Sequence, residues 1–536
     1  MKILIESAED ALDYSEDEYL SLRPTFWNDW WKYRTLFDVR YVKNQEATHV
    51  GAIKIAQLGF DYEKDLSGSG TSTELPQQSF ESLPDQFVSL GQDEDFYRNI
   101  RTLLGRRKTL ALLHALNDLA LDLDRFEEVR LQPVVSGSLL RSISARDVRN
   151  VFRAAIDGKR SRASFDFSFV TQWDSSNDLE DRVKLAFRVE LESNPPTNVH
   201  AIIGRNGSGK STLLQSLART VLNPPGATSG AFVDREGESI NPDISNLVYV
   251  SFSAFDKLRV PVWTTNRNYE IPYTFVGLQD LAKEYGEASL REDFVEDLDG
   301  ERQTRRPDEL AEDFARSVQG IMYEKSPSAW RQALVTLESD PLFAAQDVSS
   351  LLDGFSLEAA VAENEFKRHA KALYGSLSSG HKVVLLALTR LVEACSEQTL
   401  VIIDEPESHL HPPLLSAFMR ALIELMRDQN SIAVIATHSP VVLQEIPRSC
   451  VLRIMKKGSS QRASRLRIET FGENVGTLTA TVFGLEVTES GFNKLILDAS
   501  NRYHDYDSVV AHFEGTLGTE ARALIRAALA DREELD

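Results

Sequence analysis

An α/β fold with a parallel sheet is predicted from three stretches of this 536-residue chain. The first is the apolar run Val199-His200-Ala201-Ile202-Ile203. It leads into the turn Gly204-Arg205-Asn206-Gly207-Ser208-Gly209-Lys210-Ser211 and then into a helix with Leu213, Leu214, Leu217 and Val221 on one face. The second is Leu400-Val401-Ile402-Ile403, ending in Asp404-Glu405. The third is Ser431-Ile432-Ala433-Val434-Ile435-Ala436, ending at Thr437-His438-Ser439-Pro440. Apolar runs of strand length that alternate with amphipathic helices mark strands covered on both faces, the pattern of βαβ units.

With 42% apolar and 26% charged residues the chain can build two or three cores, which excludes a fibrous or wholly disordered protein. No apolar run approaches the roughly 18 residues of a membrane span, and the acidic start, Met1-Lys2-Ile3-Leu4-Ile5-Glu6-Ser7-Ala8-Glu9-Asp10, does not read as a signal peptide. Cys395 and Cys450 lie far apart with no C-x-x-C spacing, so neither a disulfide framework nor a cysteine zinc site is expected, and a reducing cytoplasm is. A net charge of −22 excludes a surface that coats nucleic acid indiscriminately. A local basic groove is still compatible with it. Residues 146–162 (Arg146, Arg149, Arg153, Lys159, Arg160, Arg162) and 453–467 (Arg453, Lys456, Lys457, Arg462, Arg465, Arg467) are the candidates, each read first as a solvated face.

In chain order, residues 1–160 read as an N-terminal α+β extension without a catalytic motif. A loose or helical acidic start precedes Phe26-Trp27-Asn28-Asp29-Trp30-Trp31, aromatics read as core cover for a neighbouring hairpin. Two alternating runs, 35–42 and 49–56, separated by Lys43-Asn44-Gln45-Glu46-Ala47-Thr48, predict that β-hairpin, with Phe37, Val39 and Tyr41 on one face. Residues 63–92, rich in Ser, Gly, Pro and acids, predict a long loop, and 96–128 a helical region. Residues 161–274 hold the first part of the nucleotide core. There Phe165, Phe167 and Phe169, then Val183-Lys184-Leu185-Ala186-Phe187-Arg188-Val189-Glu190, predict a small antiparallel sheet, and Leu247-Val248-Tyr249-Val250-Ser251-Phe252-Ser253 a further strand. Residues 275–370 read as a helical insertion broken by Pro307, Pro327 and Pro341. Residues 371–455 hold the second part of the core, and 456–536 an α-rich tail.

The glycine turn fits G-x-x-x-x-G-K-[ST] at every fixed position, between a strand and a helix as the pattern requires. Glycines let successive backbone N–H groups curl around phosphate oxygens, Lys210 reaches the β/γ-phosphates of ATP, and the Ser211 hydroxyl ligates Mg²⁺, with Thr212 beside it. An acidic pair at a strand end supplies the rest: Asp404 for the metal and Glu405 to orient and polarise the attacking water. His438, at the carboxyl end of a core strand, sits where open α/β sheets place their ligands and is a candidate γ-phosphate contact. Leu377-Ser378-Ser379-Gly380-His381 opens a helix with Val384, Leu385, Leu388, Leu391 and Val392 on one face, and this helix N-terminus can bind an anion.

In this order these motifs resemble the ABC-type ATPases over roughly residues 160–455. Within them Asp404-Glu405-Pro406-Glu407-Ser408-His409-Leu410-His411-Pro412 looks like the soluble OLD, RecF and SMC-related branch. The resemblance implies an ABC-type P-loop core in which two head-to-tail subunits sandwich two ATP molecules, with Ser379 and Gly380 gripping γ-phosphate in trans and Ser378 among the nucleotide-binding residues. It makes His409 and His411 part of a loop at the dimer seam rather than metal ligands. Two departures stand out: Ser379 occupies a position commonly glycine and His381 one often glutamine, and no glutamine lies near 251–256, where that family carries its glutamine loop. A Toprim nuclease, the companion domain in OLD-like proteins, is not expected. Asp505-Tyr506-Asp507 lies in a polar helical stretch with too little chain after it.

The branch without its own nuclease is similar to the anti-phage ATPases of Septu and retron-associated systems. This implies a cytoplasmic dimer, or higher oligomer, that controls or senses a separately encoded effector such as a nuclease, with nucleic acid as a possible partner. A DNA-repair or chromosome-maintenance ATPase is the alternative. A transporter subunit comes third, because the helical insertion and the long leader have no role there.

Overall fold

The computed structural model describes residues 1–6, 17–25, 33–60, 79–141, 143–158, 165–171, 183–190, 192–222, 230–252, 271–278, 305–324, 327–352, 360–457, 460–483, 491–503 and 505–533. The aromatic stretch 26–31, Lys159, Arg160, Arg162 and the expected glutamine-loop positions 253–256 lie outside the described residues.

The extension is built on a six-stranded sheet in the order β5-β1-β2-β3-β4-β6. Its strands are β1 (Lys2–Ile5), β2 (Glu18–Pro24), β3 (Leu36–Lys43), β4 (Glu46–Gln57), β5 (Ser79–Phe80) and β6 (Phe87–Gly91). The predicted hairpin is β3–β4, with Phe37, Val39 and Tyr41 buried. Its connection is tighter than the sequence suggests: Asn44 (φ 50°) and Gln45 (φ 65°) both adopt left-handed backbone, a two-residue turn whose twist matches that of paired strands.

Two expectations are corrected here. The start of the chain is a strand rather than a loose or helical segment, because Ile3 and Leu4 pair in parallel with Leu20 and Ser21 of β2, a partner that local charge does not reveal. Glu6, acidic yet buried, accepts hydrogen bonds from Ser21 Oγ (2.6 Å) and Tyr19 Oη (3.3 Å). Within 63–92, Phe87-Val88-Ser89-Leu90-Gly91 is a buried strand on the edge of β4, not loop. Helix α1 (Glu94–Ala115), capped by Asp93, covers this sheet with Phe96, Tyr97, Ile100, Leu112 and Leu113.

In the nucleotide core, β7 (Asp166–Thr171) and β8 (Lys184–Arg188) pair antiparallel as predicted, ahead of β9 (Val199–Gly204) and α2 (Lys210–Leu222). β10 (Gly230–Val233) joins β7 on its other side. Then come β11 (Asn246–Ser251), β12 (Tyr273–Gly277), α3 (Pro307–Glu324), α4 (Pro327–Leu337), α5 (Ser379–Ala394), β13 (Thr399–Asp404), α6 (Pro412–Asp428), β14 (Ile432–Thr437), β15 (Val451–Lys457) and β16 (Ser460–Arg465).

The main sheet has seven strands in the order β12-β11-β13-β14-β9-β15-β16, parallel except for β16. This is an α/β core with the glycine turn at the carboxyl end of a central parallel strand, and its sheet runs past residue 455 into the hairpin β15–β16. β14 is inserted between the strand that feeds the glycine turn and the strand that ends in Asp404.

Side-chain alternation divides the sheet into two cores. Ile202, Tyr249, Ile402 and Val434 face α2 and the β7–β8–β10 sheet, whose Phe167, Phe169, Phe187 and Phe232 fill that side. Val199, Ala201, Val248, Val250, Val401 and Ile403 face α5, α6 and the helical insertion. The insertion is anchored by Trp330, fully buried, whose indole N–H donates to Thr389 Oγ1 of α5 at 3.1 Å. Among the described residues no helix is long and apolar enough to cross a membrane.

One core residue titrates. His200, fully buried with its ring edge-on to Phe187 (centroids 5.4 Å apart), is pushed by desolvation to a pKa of about 3. Its folded pKa lies below its unfolded one, so the unfolded chain binds the extra proton and stability is lost as pH falls below about 6.5. His200→Leu removes this term. Relative to its own stability at pH 7, the wild type should lose about 2 kcal/mol more than the variant at pH 5. Urea midpoints of both proteins at the two pH values measure this, and equal losses would show that His200 is solvated or paired in the fold.

Candidate nucleotide site

The glycine turn leaves β9 at Gly204 and enters α2 at Lys210. Gly207 (φ 75°) and Gly209 (φ 89°) hold left-handed backbone that side chains rarely adopt. A Cβ at Gly204 would lie 2.6 Å from the Ile454 carbonyl oxygen, so that position also needs glycine for close approach to β15. Arg205, Asn206 and Gly207 are exposed, whereas Ser208 and Lys210 are buried. Lys210 Nζ donates to the carbonyls of Gly204 (3.0 Å) and Arg205 (3.2 Å), so the cation lies folded over the mouth of its own turn. Ser211 is half-buried in the first turn of α2, and Thr212 is exposed.

Asp404 is buried at the end of β13, in register with Ser251 of β11. Glu405 follows with φ 49° and ψ 61°, a left-handed conformation that costs a non-glycine residue of order 1 kcal/mol or more, and its N–H donates to Ala436 O of β14 at 2.9 Å. His438 stands just past the end of β14. Its Nδ1 is 3.5 Å from Glu405 Oε1 and 3.3 Å from Glu407 Oε1. The hydrogen bond to Glu405 raises the His438 pKa, and the same contact, with Lys210 as a weaker contributor, lowers that of Glu405. Lys210, Glu405 and His438 therefore belong to one electrostatic cluster. It forms at the carboxyl edge of three adjacent strands, β13, β14 and β9.

Two participants escape the sequence reading. Glu407 Oε1 accepts from Thr437 Oγ1 and from the His438 backbone N–H, each at 2.7 Å, so this carboxylate fixes the histidine turn. Gln461 of β16 donates from Nε2 to Ser208 O at 2.5 Å, buttressing the glycine turn from the far end of the sheet. A second acid two residues after Glu405 is at least visible as a signal. Nothing in the sequence marks Gln461.

A nucleotide and its Mg²⁺ fit what is present. Ser208 Oγ within the turn and Ser251 Oγ beside Asp404 are buried hydroxyls with no hydrogen-bond partner among the described residues. Gly207 and Gly209 open the turn as a cradle, and Asp404 offers a buried carboxylate at the strand end.

The signature stretch lies elsewhere. Ser378 caps α5, its side chain accepting from His381 N at 3.4 Å, and Ser378 and Ser379 are exposed. Gly380 packs against the turn Pro406–His409, where a Cβ would fall 2.8 Å from His409 O. α5 and α2 cover opposite faces of the main sheet. Of the basic stretches, Arg146 binds the carbonyls of Pro242 and Ile244, Arg149 binds Glu127, Arg153 binds Leu121 O and Arg465 binds Ala186 O. These arginines hydrogen-bond within the chain, Arg465 from an exposed position, and Lys456, Arg462 and Arg467 of the second stretch are exposed as well.

Residues 244–444 match the family described as "AAA domain, putative AbiEii toxin, Type IV TA system". The chain is 33% identical to protein ea59 of Escherichia phage lambda over 96% of this chain and 95% of that protein. Among solved structures it is similar to an ATP-binding cassette of an ABC transporter in its ADP conformation, at 15% identity over 61% of this chain and 98% of that one, with a TM-score of 0.28. It is also similar to a dimeric ATP-binding cassette in a post-hydrolysis state with ADP and Pi, at 14% identity over 56% and 99%, with a TM-score of 0.25.

Proposed function

The chain belongs to the family of protein ea59 of Escherichia phage lambda, and we propose that it is a Mg²⁺-dependent ATPase whose ATP-driven closure controls or senses a separately encoded partner. The observation that carries this reading is the cluster of Lys210, Glu405, Glu407 and His438 along one sheet edge. The glycine turn and Lys210 bind the phosphates. Ser211 and Asp404 would hold Mg²⁺, which would supply positive charge to the bound phosphates. Glu405, kept ionised by its neighbours, accepts a hydrogen bond from the attacking water, and His438, steered by Glu407, faces the γ-phosphate.

The working unit is a head-to-tail dimer, or a higher assembly of the same contact. Exposed Ser378 and Ser379 start a helix on the sheet face opposite α2, which supports their completing a partner's site rather than their own. Two separate free cysteines, both buried, support a reducing cytoplasm. A role in phage defence with an effector such as a nuclease follows from the resemblance of residues 404–412 to the soluble OLD, RecF and SMC-related branch.

DNA repair or chromosome maintenance is the second reading. The test is ATP turnover of the full chain alone, with duplex and single-stranded DNA, and with the product of each adjacent gene. A several-fold change with a neighbour's product and none with DNA is expected. Stimulation by DNA alone would replace the effector reading with the repair one.

A further inference from the structure

Outside the nucleotide site, one group of metal-competent side chains gathers among the described residues: Asp340, His381 and His411, one ligand atom of each lying within 4.8 Å of the others. We propose that these residues form a binding site for a zinc-class divalent ion, which ties the helical insertion to the start of the signature helix α5 and the start of α6.

The three residues come from separate segments, and each is held so that one donor atom remains for a ligand. Asp340 is buried and caps the short helix Pro341–Ala344, its Oδ1 accepting from Leu342 N (2.9 Å) and Phe343 N (3.0 Å). Its Oδ2 lies 3.7 Å from His411 Nε2. His411 caps α6, its Nδ1 accepting from Leu414 N at 3.3 Å, which fixes the ring and leaves Nε2 on the Asp340 side. His381 is buried, being only 6% exposed, and its ring stands edge-on to Phe343 at 5.6 Å. Its Nδ1 has no hydrogen-bond partner among the described residues.

An Asp340–His411 ion pair alone would leave the buried His381 nitrogen unanswered, whereas one cation satisfies all three donors. Two imidazoles and a carboxylate, with an open side at exposed His411, suit zinc: three protein ligands plus a water. Tetrahedral ligation at about 2.0–2.2 Å needs donors roughly 3.4 Å apart, so the present spacing closes with a small rotation of the His411 ring. The helix-cap contacts on the other side of Asp340 and His411 are the outer-shell supports such sites use. This inference stands apart from the proposed function. If both hold, the ion clamps together the elements that close over ATP.

The test uses the full chain, stripped with a chelator and titrated calorimetrically with Zn²⁺ in the absence of nucleotide and Mg²⁺. Co²⁺ serves as an absorbance probe of four-coordination. One equivalent is expected in the wild type and in Asp404→Asn combined with His438→Ala, which removes donors at the ATP site. In His411→Asn and in Asp340→Asn, binding should weaken by more than the roughly 10- to 100-fold that loss of an outer-shell partner costs. Asparagine caps helices well, so His411→Asn keeps the fold and isolates the ligand's contribution. Wild type and His411→Asn binding Zn²⁺ equally, or neither binding it, would overturn the site. So would loss of the equivalent only in the Asp404→Asn, His438→Ala protein, which would place the ion among the ATP-site carboxylates.

Discussion

Lys210→Ala is expected to abolish ATP hydrolysis, a fall of at least about 10²-fold, and to remove most nucleotide affinity. The ammonium is buried at the mouth of the turn, where water cannot screen its attraction to the β- and γ-phosphates. Alanine leaves the backbone cradle without its cation, and it leaves Glu405 without one of the charges that keep it ionised. Because Nζ now serves only the carbonyls of Gly204 and Arg205, at the rim of the turn, the fold should survive the change. Steady-state hydrolysis and binding of a fluorescent ATP analogue, with thermal melting as a control, measure the effect. Turnover near wild type in a folded Lys210→Ala protein would show that the site is misassigned.

The second large effect concerns closure. Glu405→Gln keeps the shape of the side chain and much of its hydrogen bonding to His438 while removing the charge that polarises water. Hydrolysis should fall by about 10²-fold or more while ATP binding persists, so bound ATP accumulates. If Ser379 and Gly380 grip the γ-phosphate of the opposite subunit, accumulated ATP favours the closed dimer through its differential affinity for that state. Ser379 is exposed at the start of α5, so Ser379→Arg leaves the core untouched and places a bulky side chain at the proposed seam. Nucleotide retention, and cross-linking between cysteines placed across that seam, should rise in Glu405→Gln and return to the unliganded level in Glu405→Gln with Ser379→Arg. Equal closure of both proteins would remove the head-to-tail ATP sandwich.

The catalytic half of the site was legible because its signals are local. A glycine turn needs particular backbone angles within a few residues, and an apolar run ending in Asp404-Glu405 declares a strand and its edge within six. The same logic failed at the amino terminus, where a four-residue strand, β1, exists only because β2 lies beside it. Nor did local charge reveal the buried acids: Glu6 is satisfied by hydroxyls of β2, and Glu407 by the histidine turn.

By itself, then, the sequence determined the α/β class and singled out Lys210, Asp404, Glu405 and His438 as candidates, because hydrophobic period and turn chemistry act over a few residues. Tertiary structure alone decided what depends on distant segments meeting. It inserted β14 between β9 and β13, which brings His438 against Glu405 and Glu407. It set α5 and α2 on opposite faces of the main sheet. It also brought Gln461 under the glycine turn and gathered Asp340, His381 and His411 from three segments. Strand order and helix docking are chosen by how whole faces bury against one another, and no window of adjacent residues encodes that choice.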